Sequence, residues 1–370
     1  MNTKTELYDV VVVYSESIAN SAGNRRYKEA APFSSKSDIY NDSYRYFLLE
    51  CKKQGVSAAF TTSRDIIGPG LFSNFWTYSS RGWVRNYKKA YSEVLFDKFT
   101  PISVKQEREL KLLTSSKSIY TFSDKKIKNI FKNKLNTYKC FKEFAIPSVE
   151  IVNYSRQKII LAKFKLDKIL KAHKHKVDFD SSFIIKDKTG TSGDKIHKVN
   201  FDKDFSEKII REYKRDKKNK DLLSYILQPF INCDNGFKFG THNGFIDLRL
   251  IILNHKIVQA YIRIAKKGNF KCNEHQGGNL IYMSLGDIPK EVLFMAGKII
   301  KKLRANFNLK HSLYSLDFIK SNNGNLYFIE GNSNPGIDWD HKKKVNEKKT
   351  KELINFIVKE LKLIVGEKLE

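Results

Sequence analysis

The apolar positions of this chain fall into blocks of two alternating periods. Leu7–Tyr14 is a continuous, largely β-branched run, the pattern of a strand buried on both faces. Ser37–Gln54 then takes helical spacing, with Tyr44, Phe47, Leu48 and Cys51 on one side, and Gly55 stops it. Val56–Phe60 opens a second strand, so the chain starts strand–helix–strand. From Ile66 to Tyr91 the pattern dissolves into Gly, Ser, Asn and aromatic residues, which predicts a long loop. Ser123–Phe144 reads as one helix that ends at Ile146-Pro147, and Val149–Val152 reads as a strand. Two β-rich blocks, Phe183–Val199 and Leu222–Ile281, flank a polar helix over Phe205–Arg215. A helix Lys290–Phe307, a hairpin and an amphipathic helix Lys343–Val365 close the chain.

That last hairpin, S-L-D-F-I-K-S-N-N-G-N-L-Y-F-I-E-G-N-S-N-P-G over Ser315–Gly336, does not look purely structural. Alternation accounts for Leu316, Phe318, Leu326, Phe328 and Ile329 as core. It leaves Asp317 on the first strand and Glu330 and Asn332 at the end of the second, three oxygen donors where the strands lie side by side.

Two further stretches hold chemistry-bearing side chains. In F-I-I-K-D-K-T-G-T-S-G-D-K-I a strand delivers Lys186 to a small-residue loop, Thr189 to Gly193, whose N–H groups can meet phosphate oxygens. It is not a Walker A loop, because the Lys precedes the glycines and no helix follows. An ordinary hairpin turn with a surface Lys stays open. In Phe245–Asn279, Asp247, Arg249 and Arg263 alternate with apolar residues on two antiparallel strands, either as functional groups or as cross-strand ion pairs.

Composition adds less than its size suggests. The net charge is +28 over 370 residues, with Lys well ahead of Arg and abundant Asn, Ile, Tyr and Phe. A coding bias toward A and T produces the same skew. The runs Lys171–Lys176, Lys214–Lys220 and His341–Lys344 are bordered by acidic residues and read as solvated faces. Such a field attracts anions, yet no helix-turn-helix, RNP or finger pattern accompanies it, which disfavours nucleic-acid binding as the main task. No apolar run approaches the ~20 residues of a membrane span. Four dispersed cysteines, Cys51, Cys140, Cys233 and Cys272, form no CxxC pair, so a reducing cytoplasm is the expected setting.

Taken in order and spacing, these stretches resemble the ATP-grasp superfamily, and within it the RimK-like carboxylate–amine ligases. The resemblance runs from about Ser123 to Gly336 and is strongest in Asp317–Gly336 and in Arg263–Asn279, where G-N-F-K-C-N-E-H-Q-G-G follows the family's G-D-F-R-x-N-x-H-x-G-G. It implies an α/β (α+β) fold with two subdomains clasping ATP: residues 116–226 with the phosphate lysines, and 227–370 with the metal and catalytic residues. A Rossmann-like domain over 1–115 precedes them. It also implies ATP and Mg²⁺ (or Mn²⁺) as cofactors, and a carboxylate substrate (amino acid, peptide or protein tail) joined to an amine. Lys134 and Lys186 match the phosphate lysines, and Gly190, Thr191, Ser192 and Gly193 match the loop over the triphosphate. Gln228, Pro229, Phe230 and Ile231 match the hinge beside adenine, and Asp247 matches the acidic ribose partner. Lys271, Cys272 and Asn273 match a second nucleotide loop, with Asn273 and Arg249 counted in the catalytic group beside Arg263, the arginine near the γ-phosphate. Asp317, Glu330 and Asn332 match the Mg²⁺ ligands.

Three positions depart from that pattern. Pro229 stands where relatives often carry Glu, removing one N–H and one carboxylate from the hinge. Lys271 and Gln276 replace arginines common in the glutamate ligases. The loop Asn232–Gly244 is also long. An ATP-grasp kinase that stops at phosphorylation stays open at this point, as does self-association into a homo-oligomer.

Overall fold

The computed structural model describes residues 4–24, 31–34, 38–122, 124–190, 195–218, 223–307, 311–338 and 343–369. Two compact units divide the chain. The first comprises Met1–Asp124, His311–Leu313 and Gly336–Glu370, and the second Lys125–Lys310 and Tyr314–Pro335.

In the first unit the β-branched run becomes the strand Val10–Tyr14, fully buried between parallel neighbours Ala58–Thr62 and Val94–Lys98. A strand covered on both faces has no polar side to alternate with, hence its uninterrupted apolar sequence. The expected loop over Ile66–Tyr91 is instead largely strand. Phe75–Ser79 and Gly82–Asn86 pair as a tight hairpin that joins this sheet through Trp76, paired with Phe60. Gly82 supplies the positive φ of 94° at its turn, and the aromatic residues that blur the sequence pattern are buried packing groups such as Phe72, Phe75 and Trp76. The closing helix Lys344–Leu369, expected with residues 227–370, packs against the helix Asp38–Lys53, where Tyr46 donates to Asn355 Oδ1 at 3.0 Å. Its buried face (Leu353, Ile354, Ile357, Val358, Leu361) needs an apolar partner, and contacts distant in sequence decide which one.

The second unit holds two sheets. One has four antiparallel strands in the order Val149–Glu150, Tyr225–Ile231, Phe179–Asp187, Ile196–Asn200. The helices Arg156–Lys171 and Phe205–Lys217 bury Ile159, Leu166, Phe205 and Ile209 against it. The other has five strands in the order Asn279–Met283, Lys256–Ile264, Ile246–Leu253, Leu313–Lys320, Leu326–Asn332. The helix Lys290–Asn306 places Val292, Ala296, Ile299 and Leu303 on that sheet, a helical stripe in which each large side chain contributes roughly 1.5–3 kcal/mol.

Where the spacing predicts one helix over Ser123–Phe144, the chain forms two, Lys125–Phe131 and Lys134–Cys140. Asn133 makes the break. Its Oδ1 accepts from Leu135 and Asn136 N–H, starting a new helix and turning Lys134 away from the first axis. After these helices the chain hooks onto the hairpin, Phe328 N–H donating to Phe144 C=O at 2.9 Å, which covers an otherwise open sheet edge.

Candidate functional site

The site is built on the five-stranded sheet. Register pairs Asp317 with Glu330 and Ser315 with Asn332, so the three predicted oxygen donors do come together on adjacent strands. Asp317 is 1% exposed, whereas the Glu330 side chain keeps 28% of its surface open. Asn332 Oδ1 accepts from Asn334 N–H at 2.8 Å, which fixes its amide plane. Gly331 between them has a packing reason. A Cβ there would sit 2.3 Å from ring carbons of Phe131, so only glycine leaves room for that ring.

Behind the donors lies a buried charge network. Arg249 reaches Asp317 with Nε at 2.6 Å and with Nη2 on the second oxygen. Arg263 forks onto Asp247 at 2.7 and 2.9 Å and also donates to Asp317 at 2.8 Å. The ion-pair reading of these three residues is therefore what the geometry holds. Asp247 is buried, and each of its oxygens accepts from Arg263, so it orients that arginine. Burial alone would push Asp317 up, but Arg249 and Arg263 hold it below the ordinary carboxylate range. Burial pushes Asp247 up, and Arg263 draws it back.

Two lysines arrive from elsewhere in the unit. Lys134, at the start of its helix, donates to Gly190 C=O and lies 3.7 Å from Glu330 Oε2. Lys186, on Phe179–Asp187, is 4% exposed. Burial pushes its ammonium down to about 8; Glu330 and Asp317 pull it up, and Lys134 pushes it further down. Lys134 N–H donates to Lys188 C=O at 2.9 Å, which ties its helix to the end of the strand that carries Lys186. Gly190 closes on Asp187, a Cβ there lying 2.9 Å from Asp187 Cβ, while Thr191, Ser192 and Gly193 lie outside the described residues.

The remaining assignments divide. The Gln228 amide turns inward and donates to Ser148 Oγ at 2.6 Å, so its side chain braces the strand instead of meeting a base. Pro229 pairs with Phe183 beside a register shift between Phe179 and Phe183, the kind of irregularity where a missing N–H is tolerated. Phe230 packs between Phe245 and Phe270, with Lys198 Nζ 3.5 Å from its ring centroid. Ile231 is core. The Cys272 thiol is also buried, donating to Phe245 C=O at 3.2 Å, and burial pushes it up, so it packs rather than contacts. Asn273 C=O accepts from Gln276 and Gly278 N–H, and a Cβ on Gly278 would meet Cys272 O at 2.1 Å, while Gly277 before it takes a positive φ of 84°, so each glycine of the pair has its own reason. Lys271 stands on the same loop, its N–H donating to Asn269 Oδ1 at 3.0 Å.

Sequence reasoning missed Tyr261, Ser148 and Phe131. Tyr261 was within reach, because it sits two residues before Arg263 on one face and in register with Arg249.

Oxygen-only donors suit a hard divalent cation. Asp317 already accepts three guanidinium hydrogen bonds, and a carboxylate offers about four acceptor sites, so one remains for a metal. With Glu330 part-open and Asn332 beside it, the set fits Mg²⁺.

Solved structures similar in fold to this chain include ATP-grasp ligases. The chain superposes on the D-Ala:D-Ser ligase VanG of Enterococcus faecalis with a TM-score of 0.59, at 13% identity and covering 98% of this chain and 100% of that one. It superposes on an ATP-grasp RimK domain protein of Sphaerobacter thermophilus with a TM-score of 0.54, at 10% identity and covering 94% and 98%. A probable alpha-L-glutamate ligase of Legionella pneumophila is 31% identical over 118 residues, 32% of this chain and 35% of that protein. A second, from Haemophilus influenzae, is 29% identical over 99 residues. The matched stretch thus spans about a third of the length of these curated relatives. Residues 142–357, more than half of the chain, match the RimK-like ATP-grasp domain. With the fold and that match in agreement, the chain belongs to the RimK-like ATP-grasp family.

Proposed function

We propose that this chain is an ATP- and Mg²⁺-dependent carboxylate–amine ligase that forms an amide bond through an acyl phosphate. The observation that carries this reading is the register of Asp317 against Glu330, with Lys134 3.7 Å from Glu330 and bonded through its N–H to Lys188 C=O, two residues past the buried Lys186. A substrate carboxylate attacks the γ-phosphate, ADP leaves, and an amine then displaces phosphate. Most of the catalytic task is positioning and charge neutralisation, and no protein nucleophile is needed.

Lys134 and Lys186 hold the phosphates. Arg263, kept in a fixed plane by Asp247, donates to the transferred phosphoryl group and to the acyl phosphate. Mg²⁺ held by Asp317, Glu330 and Asn332 would neutralise charge on the phosphate oxygens. In this reading the two jaws lie within 116–226 and 227–335, the closing helix belonging to the first unit. The strand Gln228–Ile231 borders the base through its backbone and Phe230. With Lys271 and Gln276 in place of arginines, the added amine need not be glutamate. We place this activity in a reducing compartment, where dispersed cysteines stay thiols.

The test is release of ADP and phosphate that requires both a carboxylate and an amine, with amino acids and acidic peptides screened as substrates. ADP without free phosphate, together with a stable phosphorylated product, would make the protein a kinase and overturn the proposal.

A further inference from the structure

The basic run Lys171–Lys176 does not lie wholly in solvent. His173 stacks on the Tyr327 ring with centroids 6.3 Å apart and meets Phe179 edge-on at 5.0 Å, and His175 meets Tyr327 edge-on at 6.2 Å. With Glu143, Phe144 and the first turns of Lys290–Asn306, they line a cavity of about 230 Å³ inside the second unit. No lining residue is a phosphate lysine, an oxygen donor or a member of the Asp247–Arg263 network, so this cavity is separate from the site described above.

Its charged side chains are not equivalent. Glu143 is already paired with Lys302 at 3.5 Å and Glu291 with Lys320 at 3.1 Å, and neither lysine lines the cavity. Lys174 and Lys298 have no carboxylate partner among the described residues, and Lys298 Nζ sits 4.4 Å from the Phe294 ring centroid. Burial pushes both imidazoles below the ordinary histidine value, so near neutral pH they add no charge. His173 Nδ1 accepts from His175 N–H at 3.1 Å, which leaves the ring proton on Nε2 as a donor. Phe294 keeps 66% of its surface open, an apolar face without a cover.

We propose that this cavity binds a small aromatic carboxylate, with its ring against Phe144, Phe294 and Tyr327 and its charge on Lys174 and Lys298. Size sets the class. A cavity of about 150 Å³ takes benzene, so about 230 Å³ takes a benzene ring bearing a carboxylate and is too small for a nucleotide. Charge sets the sign. An amine would meet two acids already engaged and two lysines that repel it, whereas a carboxylate gives those lysines the partner they lack.

The experiment titrates phenylacetate into the full chain, read by saturation-transfer NMR, with and without a saturating non-hydrolysable ATP analogue. A Kd of about 10⁻³ M is expected, the same in both cases. The uncharged 2-phenylethanol should bind about fivefold more weakly, because the lysines are exposed and their charge is partly screened. Phe294→Ala and Lys298→Met change exposed positions and should leave the melting curve in place. Each should weaken phenylacetate about fivefold, and Lys298→Met should lose most of the preference over 2-phenylethanol. Absence of saturable binding up to about 10⁻² M overturns the proposal. So does displacement by the ATP analogue, which puts the probe in the nucleotide cleft, or an affinity that neither variant moves, which puts it elsewhere on the surface.

Discussion

The two sheets of the second unit treat buried charge in opposite ways. In the five-stranded sheet Asp247, Arg249, Arg263 and Asp317 are locked as two acids against two bases. In the four-stranded sheet Lys186 is just as buried, but its ammonium is disfavoured, pushed down to about 8. The first arrangement is pre-organised, because its dipoles need not reorient when charge moves during a reaction. The second stores an unfavourable positive charge that an anionic ligand relieves. Chemistry is therefore expected from the five-stranded sheet and binding energy from the lysine.

The largest effect should come from Glu330→Gln, which removes a carboxylate from the donor set without touching the core. ADP release at saturating Mg²⁺ is expected to fall by about 10³-fold while the melting curve stays unchanged. Wild-type turnover in that variant would dissolve the contrast between the sheets, since nothing would then tie reactivity to the hairpin.

Arg263→Lys comes next. Lysine cannot reproduce a fork that spans Asp247 and Asp317, so kcat should drop about 10²-fold with ATP KM nearly unchanged. Loss of ATP binding at normal kcat would move Arg263 to the binding side of the comparison.

Lys186 should behave the other way, with Lys186→Ala raising ATP KM about tenfold more than it lowers kcat. Its pH dependence has a definite sign. The folded pKa, about 8, lies below the ordinary 10.5, so the ammonium is charged below about 8 and neutral above. Wild-type kcat/KM for ATP should fall as pH rises through about 8, and the alanine variant should lack that step. Stability should run oppositely. The unfolded chain holds the proton between about 8 and 10.5 while the folded chain has lost it, so this group's contribution to stability rises across that window.

Gly331→Ala gives the smallest effect and tests the scaffold. Its Cβ would lie 2.3 Å from the Phe131 ring, so urea unfolding should show a loss of roughly 1–3 kcal/mol. Adding Phe131→Leu should restore part of it. No loss in the single variant would mean the hairpin end has slack, and the donors are less rigid than the network behind them.

Much of this was legible in the sequence for local reasons. Strand alternation places Asp247 with Arg249, and Glu330 with Asn332, on common faces, and helical spacing predicts Lys290–Asn306 to within a residue. Where a short polar side chain competes with a longer pattern, local spacing misleads. Asn133 splits one expected helix, and buried aromatic residues turn an expected loop into a hairpin.

Which charges meet is another matter. The Arg249–Asp317 pair joins residues 68 apart, and nothing local to either stretch says that Ile246–Leu253 and Leu313–Lys320 are sheet neighbours. The inward turn of Gln228 onto Ser148, 80 residues away, is equally silent in the sequence, as is the Phe131 ring that makes Gly331 necessary. Residue type and period determined which elements form and which donors they carry. Only the pairing of distant strands, driven by burying their common apolar faces, decided that Asp247 holds an arginine and that Asp317 is shared by two.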